Sequence, residues 1–124
     1  MYFKKLALTL LTITLLSPVL SSLAWSHATA KVSTPENGAV LSESPTEISI
    51  QFNGPAKLVS LTITGVDGNP VNIDISEATS VDGLVSVAIA SLPADQYQVS
   101  WRAMGMDGHV TAGKFSFEVS TAGQ

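Results

Sequence analysis

The sequence predicts an all-β domain, a small antiparallel Greek-key β-barrel or sandwich of about seven strands with an immunoglobulin-like arrangement. Two observations carry this prediction. Apolar and polar residues alternate with a period of two through most of the chain, which is typical of strands with one buried face. Short groups of Gly, Pro, Asn, Asp and Ser separate the alternating segments, and no segment has apolar spacing long enough for a helix. Many short strands at such intervals are typical of sandwiches and Greek-key barrels.

The alternating segments define the predicted strands in chain order. They cover residues 47–52, 57–64, 71–75, 84–89, 97–101 and 114–119. The turn signals lie at residues 35–38, 43–45, 53–55, 67–70, 82–83 and 92–95. Because no linker or repeat interrupts this pattern, it describes one domain.

Two aromatic residues mark the core of the predicted sandwich. Tyr97, Val99 and Trp101 alternate along one strand and therefore face the same side, where a Trp is a common buried anchor. Tyr97 also follows the turn signal at Leu92-Pro93, which is the placement of a tyrosine corner. We interpret both aromatic residues as structural.

The N-terminus has the features of a cleaved signal peptide. A short basic start, Lys4-Lys5, precedes an apolar run over residues 6–16, and Ala24-Trp25-Ser26 supplies small residues at the minus three and minus one positions. The run is shorter than a membrane span requires, and the chain contains no Cys for a lipid anchor or a disulfide. We therefore expect residues 1–26 to be a signal peptide and residues 27–124 to be an exported domain that begins at His27.

Composition excludes several classes of partner for that domain. Its 98 residues suffice for one core. They keep four Lys and Arg residues against ten acidic residues, a formal charge of −6. Nucleic acid and anionic membrane surfaces need clustered cations and are therefore improbable partners.

The only two histidines fall where they suggest a metal site. His27 at a free N-terminus offers an α-amine and an imidazole that close a six-membered chelate ring, while Asp107 and His109 stand two residues apart. In extended backbone the latter two would face the same side about 6–7 Å apart along the chain. Two imidazoles, an amine and a carboxylate suit Cu(II) in a tetragonal plane. Glu36 and Asp95 are the next candidates for the carboxylate.

These residues belong to a wider pattern that resembles the CopC family of periplasmic copper-resistance proteins. The pattern includes His27, residues 33–39, residues 47–52, the segment Tyr97-Gln98-Val99-Ser100-Trp101-Arg102-Ala103, Asp107-Gly108-His109 and Gly113. The resemblance implies a Greek-key β-barrel that binds Cu(II) through the amine and Nδ1 of His27, a carboxylate oxygen of Asp107 and the imidazole of His109. It also implies a monomeric, non-enzymatic carrier or buffer for copper homeostasis and resistance in the periplasm. An inner-membrane copper transporter is its candidate partner.

The chain differs from this family in its methionines. Many relatives carry a Met-rich loop that binds Cu(I), whereas the corresponding residues 53–57 contain no Met. The exported domain has only Met104 and Met106. Because thioethers select Cu(I), their scarcity predicts a protein that binds Cu(II) alone. Met106 is expected to fill a gap near the site.

Two other classes of protein stay open at this point. A histidine-brace oxidative enzyme resembling a lytic polysaccharide monooxygenase also uses an N-terminal histidine, but such enzymes present long loops and an aromatic substrate face that this chain lacks. A secreted β-sandwich adhesion module would leave both histidines incidental, and absent copper binding would favour it. No Gly-x-Ser-x-Gly elbow or phosphate loop suggests another catalytic function.

Overall fold

The chain folds into two packed β-sheets. The computed structural model describes residues 29–71, 73–80 and 82–120, and these residues form nine strands. The strands are β1 Ala30–Thr34, β2 Ala39–Leu41, β3 Glu47–Phe52, β4 Ala56–Thr64, β5 Pro70–Val71, β6 Thr79–Ser80, β7 Leu84–Ala88, β8 Asp95–Gly105 and β9 Val110–Val119. One sheet has the order β1-β3-β7 and the other β2-β9-β8-β4-β5, with β6 also paired to β4. The predicted all-β sandwich is confirmed.

Within the described ranges no helix has the length and apolar character needed to cross a membrane.

The strand count exceeds the six predicted segments because the sequence did not predict β1, β2 and β6. β2 has three residues and β6 has two, which is too few for alternation to be visible in the sequence. In the segment predicted at 71–75, Val71 pairs with Ile63, and together with Pro70 it forms β5 on the edge of β4. β8 and β9 are longer than predicted, with paired residues from Asp95 to Met104.

Two strands depart from the antiparallel alternating pattern. β2 runs parallel to β9, with Ala39 opposite Phe117. β1 pairs antiparallel with β3, but almost all of its residues are exposed, and Val32 is 56% exposed. A strand without a buried face has no hydrophobic period, so the sequence did not predict β1.

The core lies between the inner faces of the two sheets. A β-bulge in β4 between Leu58 and Ser60 shifts the alternation by one residue, so that Leu58, Leu61 and Ile63 all face inward. These side chains meet Ile48, Ile50 and Phe52 of the smaller sheet, all of which are buried. The larger sheet also contributes Val99, Trp101, Phe115 and Phe117 to the core.

Trp101 fills the core near one end of the long β8–β9 hairpin. Its ring meets the ring of Phe52 edge-on at a centroid distance of 5.2 Å, and the residue is 6% exposed. Gly113 lies opposite Trp101 in the hairpin, and a Cβ there would stand 2.7 Å from Trp101 Cε2 and overlap Cζ2. The close approach of the indole therefore requires glycine at position 113.

The predicted tyrosine corner is present at the other end of β8. The Tyr97 hydroxyl donates a 2.6 Å hydrogen bond to the carbonyl oxygen of Pro93, and its ring stacks on Phe117 at 5.5 Å. Burial raises the pKa of the Tyr97 hydroxyl, and the negative charges of Asp95 and Asp67 raise it further. The hydroxyl thus ties β8 to the loop before it.

Candidate metal centre

The turn between β8 and β9 carries the predicted Asp-x-His pair. The Gly108 N–H donates to the Gly105 carbonyl at 3.1 Å, and the Gly105 N–H donates to the His109 carbonyl at 3.1 Å. Gly108 has a φ of +78°, in the left-handed region that favours glycine. These bonds close a tight turn over residues 106–109 at the end of the hairpin.

The two oxygens of Asp107 hold His109 in place. Oδ1 accepts a 3.0 Å hydrogen bond from the backbone N–H of His109, an Asx-turn contact. Oδ2 lies 3.1 Å from Nδ1 of the His109 ring. The Asp107 side chain is 12% exposed and the His109 side chain 55% exposed. The carboxylate is therefore fixed against the turn while the imidazole reaches solvent.

The extended geometry that we assumed for this pair is wrong. Residues 106–109 form a turn, and its bend brings Oδ2 of Asp107 and Nδ1 of His109 to 3.1 Å. Gly108 reverses the backbone between them, and the two side chains lie side by side on the turn.

The first described residue lies at the same end of the sandwich as this turn. Thr29 and Asn53 are joined by two hydrogen bonds of 3.0 Å, from the Thr29 N–H to the Asn53 side chain and from the Asn53 N–H to the Thr29 carbonyl. Asn53 precedes β4, whose first residue, Ala56, pairs with Gly105. We call this edge, with Thr29, the loop 53–55 and the turn 106–109, the turn end.

The structure brings together two of the three predicted ligands. His27 lies outside the described residues. Among the described residues no group of three His, Cys, Asp or Glu side chains is close enough to hold a metal ion. Asp95 begins β8 and lies ten residues, about 33 Å, from the turn end. Glu36 lies in the turn before β2, where the Gly38 N–H donates to the Ser116 carbonyl and the Ser116 N–H donates to the Asn37 side chain. Ser116 is in the half of β9 away from the turn end, so neither Glu36 nor Asp95 can replace Asp107.

A scan against family models matches residues 30–120 to the CopC domain. The chain belongs to the CopC family. It is 30% identical over 111 residues to copper resistance protein C of Pseudomonas syringae pv. tomato, covering 82% of this chain and 86% of that protein. The crystal structure of CopC from Methylosinus trichosporium OB3b superimposes with a TM-score of 0.67 at 19% identity, covering 79% of this chain and 98% of that one. PcoC, a copper resistance protein from Escherichia coli, gives 0.59 at 26% identity, covering 74% and 99%.

The matched CopC domain contains every described strand and the Asp107–His109 pair. It begins three residues after His27, so the predicted N-terminal ligand lies outside the matched segment. Membership of the family therefore establishes a copper-resistance domain of the CopC type, but it does not identify the residues that bind the metal.

Sequence reasoning missed two features of the turn end in this CopC domain. Met106 does not fill a gap, because it is 81% exposed. The loops that contain Asp82 and Asn53 also lie at this end. Their turn signals are visible in the sequence, but only the pairing of the strands in the sheet places these loops beside the turn 106–109. The Asp82 carboxylate is held by the Ser80 hydroxyl and the Leu84 N–H, which lower its pKa.

Proposed function

We propose that this CopC domain binds one Cu(II) ion as cargo, at a mononuclear site made by His27, Asp107 and His109. In this proposal it acts as a periplasmic carrier or buffer in copper homeostasis and resistance and catalyses no reaction. The names of its relatives support a copper-binding role. An inner-membrane copper transporter is the candidate recipient, and the domain acts as a monomer.

The observation that carries this proposal is the meeting of two chain segments at the turn end. Asp107 and His109 lie on the turn, and Thr29 is fixed to Asn53 at the same end. His27 precedes Thr29 by two residues, a span of no more than about 7 Å of extended backbone. This short span supports a site in which an N-terminal histidine joins the pair.

The donor set suits Cu(II). His27 supplies an amine and an imidazole nitrogen, His109 a second imidazole and Asp107 an oxygen, and nitrogen and oxygen ligands in a plane are those that Cu(II) prefers. The chain has no Cys, so a thiolate is not among the donors. A carboxylate in the copper plane also occupies a position that oxygen activation would need open, which favours binding over oxidative catalysis.

The test compares the protein that starts at His27 with one that carries a single extra Gly before it. The extra residue converts the α-amine into an amide and removes the chelate ring, while both imidazoles and the carboxylate remain. We expect the first species to bind one Cu(II) with a tetragonal spectrum and the second to bind it more weakly by orders of magnitude. Zn(II) should bind the first species more weakly than Cu(II).

Affinity is measured by competition with a Cu(II) chelator, and electron paramagnetic resonance reports the ligand geometry. Equal affinities for the two species would refute the amine ligand. Two tight sites in the native species, or an intense thiolate-like absorption band, would refute the mononuclear assignment.

A further inference from the structure

The outer face of the larger sheet carries an ordered set of side chains beside the turn end. In the sheet register, Lys57, Met104 and Val110 lie directly opposite one another in the row next to the turn. Arg102 lies in the next row and Lys114 in the third, and the other positions of these rows are Ser, Thr and Ala. We call the first three rows together with Met106 the outer patch.

Lysine and arginine are concentrated in the outer patch. Lys57, Arg102 and Lys114 are three of the four cationic residues that the structure describes, and all three are exposed. They follow a diagonal across β4, β8 and β9, in which neighbouring positions are about 7–8 Å apart. None of them forms an ion pair with a described carboxylate. The nearest acids along the chain are Asp107, on the turn beside the patch, and Glu118, two rows beyond Lys114 on β9, and neither lies in the three rows.

This concentration runs against the overall charge of the protein. The exported domain has a formal charge of −6, yet no acidic residue occupies the three rows of the outer patch. Like charges at this spacing repel one another, and no neighbouring carboxylate in these rows offsets the repulsion. The three rows therefore present positive charge that no described carboxylate pairs with.

Apolar side chains lie at the end of the patch nearest the turn. Met106 is 81% exposed and Val110 43% exposed, and Met104 is half-buried between them and Lys57. A hollow of about 470 Å³ runs along this edge and is lined by Pro55, Lys57, Met104 and Met106. Methionine and arginine are enriched in protein interfaces, where flexible thioethers adapt to a partner's shape.

We propose that the outer patch is the docking surface for an acidic partner protein, whose carboxylates meet Lys57, Arg102 and Lys114 while its apolar residues cover Met104, Met106 and Val110. Docking there sets the partner beside His109. The exchange of copper in that complex rests on the proposed function, whereas the docking itself does not.

A protein fits this surface better than an anionic membrane does. Three cations spread across three strands supply little attraction to a charged bilayer, and the remainder of an acidic domain is repelled by it. The outer patch also contains no exposed Trp or Tyr of the kind that anchors proteins at a membrane interface.

The experiment uses the metal-free protein that starts at His27 and a synthetic peptide in which Glu alternates with Leu and Gly. A second peptide has Lys in place of every Glu. We expect the Glu peptide to shift backbone amide resonances of residues 57, 100–104 and 110–114, and its affinity to fall as salt rises. The combined variant Lys57→Glu, Arg102→Glu, Lys114→Glu should bind it about tenfold more weakly or worse.

Lys31→Glu is the matched control, to be compared with Lys114→Glu alone. Both substitutions change the net charge equally, but Lys31 lies on β1 in the other sheet, so we expect only Lys114→Glu to weaken the peptide. Equal weakening by both, or preference for the Lys peptide, would overturn the proposal. If phosphatidylglycerol vesicles caused the same amide shifts and the Glu peptide did not, the proposal would be overturned in favour of a membrane. Because no metal is present, failure of copper binding leaves this result intact.

Discussion

At the scale of single residues, Asp107 has two separable contacts. Oδ1 accepts the His109 backbone N–H, which shapes the turn, and Oδ2 faces the imidazole, where the proposed metal would bind. The carboxylate therefore both builds the turn and, in the proposed site, supplies an oxygen ligand. Loss of the side chain tests the second role if the effect on folding is measured separately.

Asp107→Ala should weaken Cu(II) binding by at least about tenfold, because the proposed oxygen ligand and the group that orients His109 are lost together. The free energy of unfolding of the apo protein should fall by only about 1 kcal/mol, the value of one exposed turn hydrogen bond. Chelator competition measures the first quantity and urea unfolding the second.

Asp67→Ala is the matched control for this variant. Asp67 Oδ1 accepts the Asn69 N–H at 3.1 Å in the same kind of Asx turn, but beyond the opposite end of β4. Its removal should leave copper affinity unchanged. Parental copper affinity in Asp107→Ala would mean that another group supplies the oxygen.

Trp101→Ala should destabilise the fold by about 3–5 kcal/mol through loss of a core aromatic.

The residue scale also shows what the sequence could predict about the site. The spacing of Asp107 and His109 was enough to pair them, because residues two apart come close in a strand or in a turn. The exposure of Met106 could not be predicted, because it depends on the turn that Gly108 closes. The contact between Thr29 and Asn53 joins residues 24 apart and depends on the pairing of β1 with β3.

At the scale of elements, the tyrosine corner fixes the start of β8. The Tyr97 hydroxyl is held by the Pro93 carbonyl and shielded from water by its own burial. Tyr97→Phe removes this hydrogen bond and changes nothing else in the ring stack on Phe117. We expect a loss of about 1 kcal/mol in the free energy of unfolding, with copper affinity unchanged because the turn end is distant.

Alkaline pH should produce the same loss in the parent protein. Because the pKa of the folded Tyr97 lies above its usual value, its contribution to stability is complete below that usual value and is lost as pH rises through the folded pKa. Tyr97 is the only Tyr after residue 26, so the absorbance of tyrosinate reports it alone in the protein that starts at His27. A titration midpoint at or below 10 would contradict the shift, and an alkaline loss retained in Tyr97→Phe would assign it elsewhere.

The elements differ in how far the sequence predicted them. β3, β4 and β7 were predicted within one residue, because each buries one face and alternates. β1 is held mainly by backbone hydrogen bonds to β3, and its side chains carry no period. The parallel pairing of β2 was not predicted, because three residues carry no information about strand direction.

At the scale of the whole molecule, topology separates two surfaces with different chemistry. The turn end gathers the start of the described chain, the loop 53–55 and the turn 106–109, although these segments are far apart in sequence. The tyrosine corner and Asp67 lie at the other end of β8 and β4. A sandwich with long central strands can therefore hold a metal at one end while the other end only maintains the fold.

The oxidation state of the bound metal tests that separation. Nitrogen and oxygen donors favour Cu(II), whereas Cu(I) needs soft ligands, and residues 27–124 have only Met104 and Met106. Met106 is exposed and Met104 lies in the sheet, so the described residues contain no thioether cluster beyond this pair. Reduction of the copper-loaded protein should therefore release the metal to a colorimetric Cu(I) chelator. The chelator is chosen so that it does not remove Cu(II) from the protein before reduction. Met104→Leu and Met106→Leu should leave this release unchanged, because neither thioether holds the ion. If the parent retained Cu(I) against the chelator and either variant lost it, the two methionines would form a second site beside His109, and the domain would bind copper in both oxidation states.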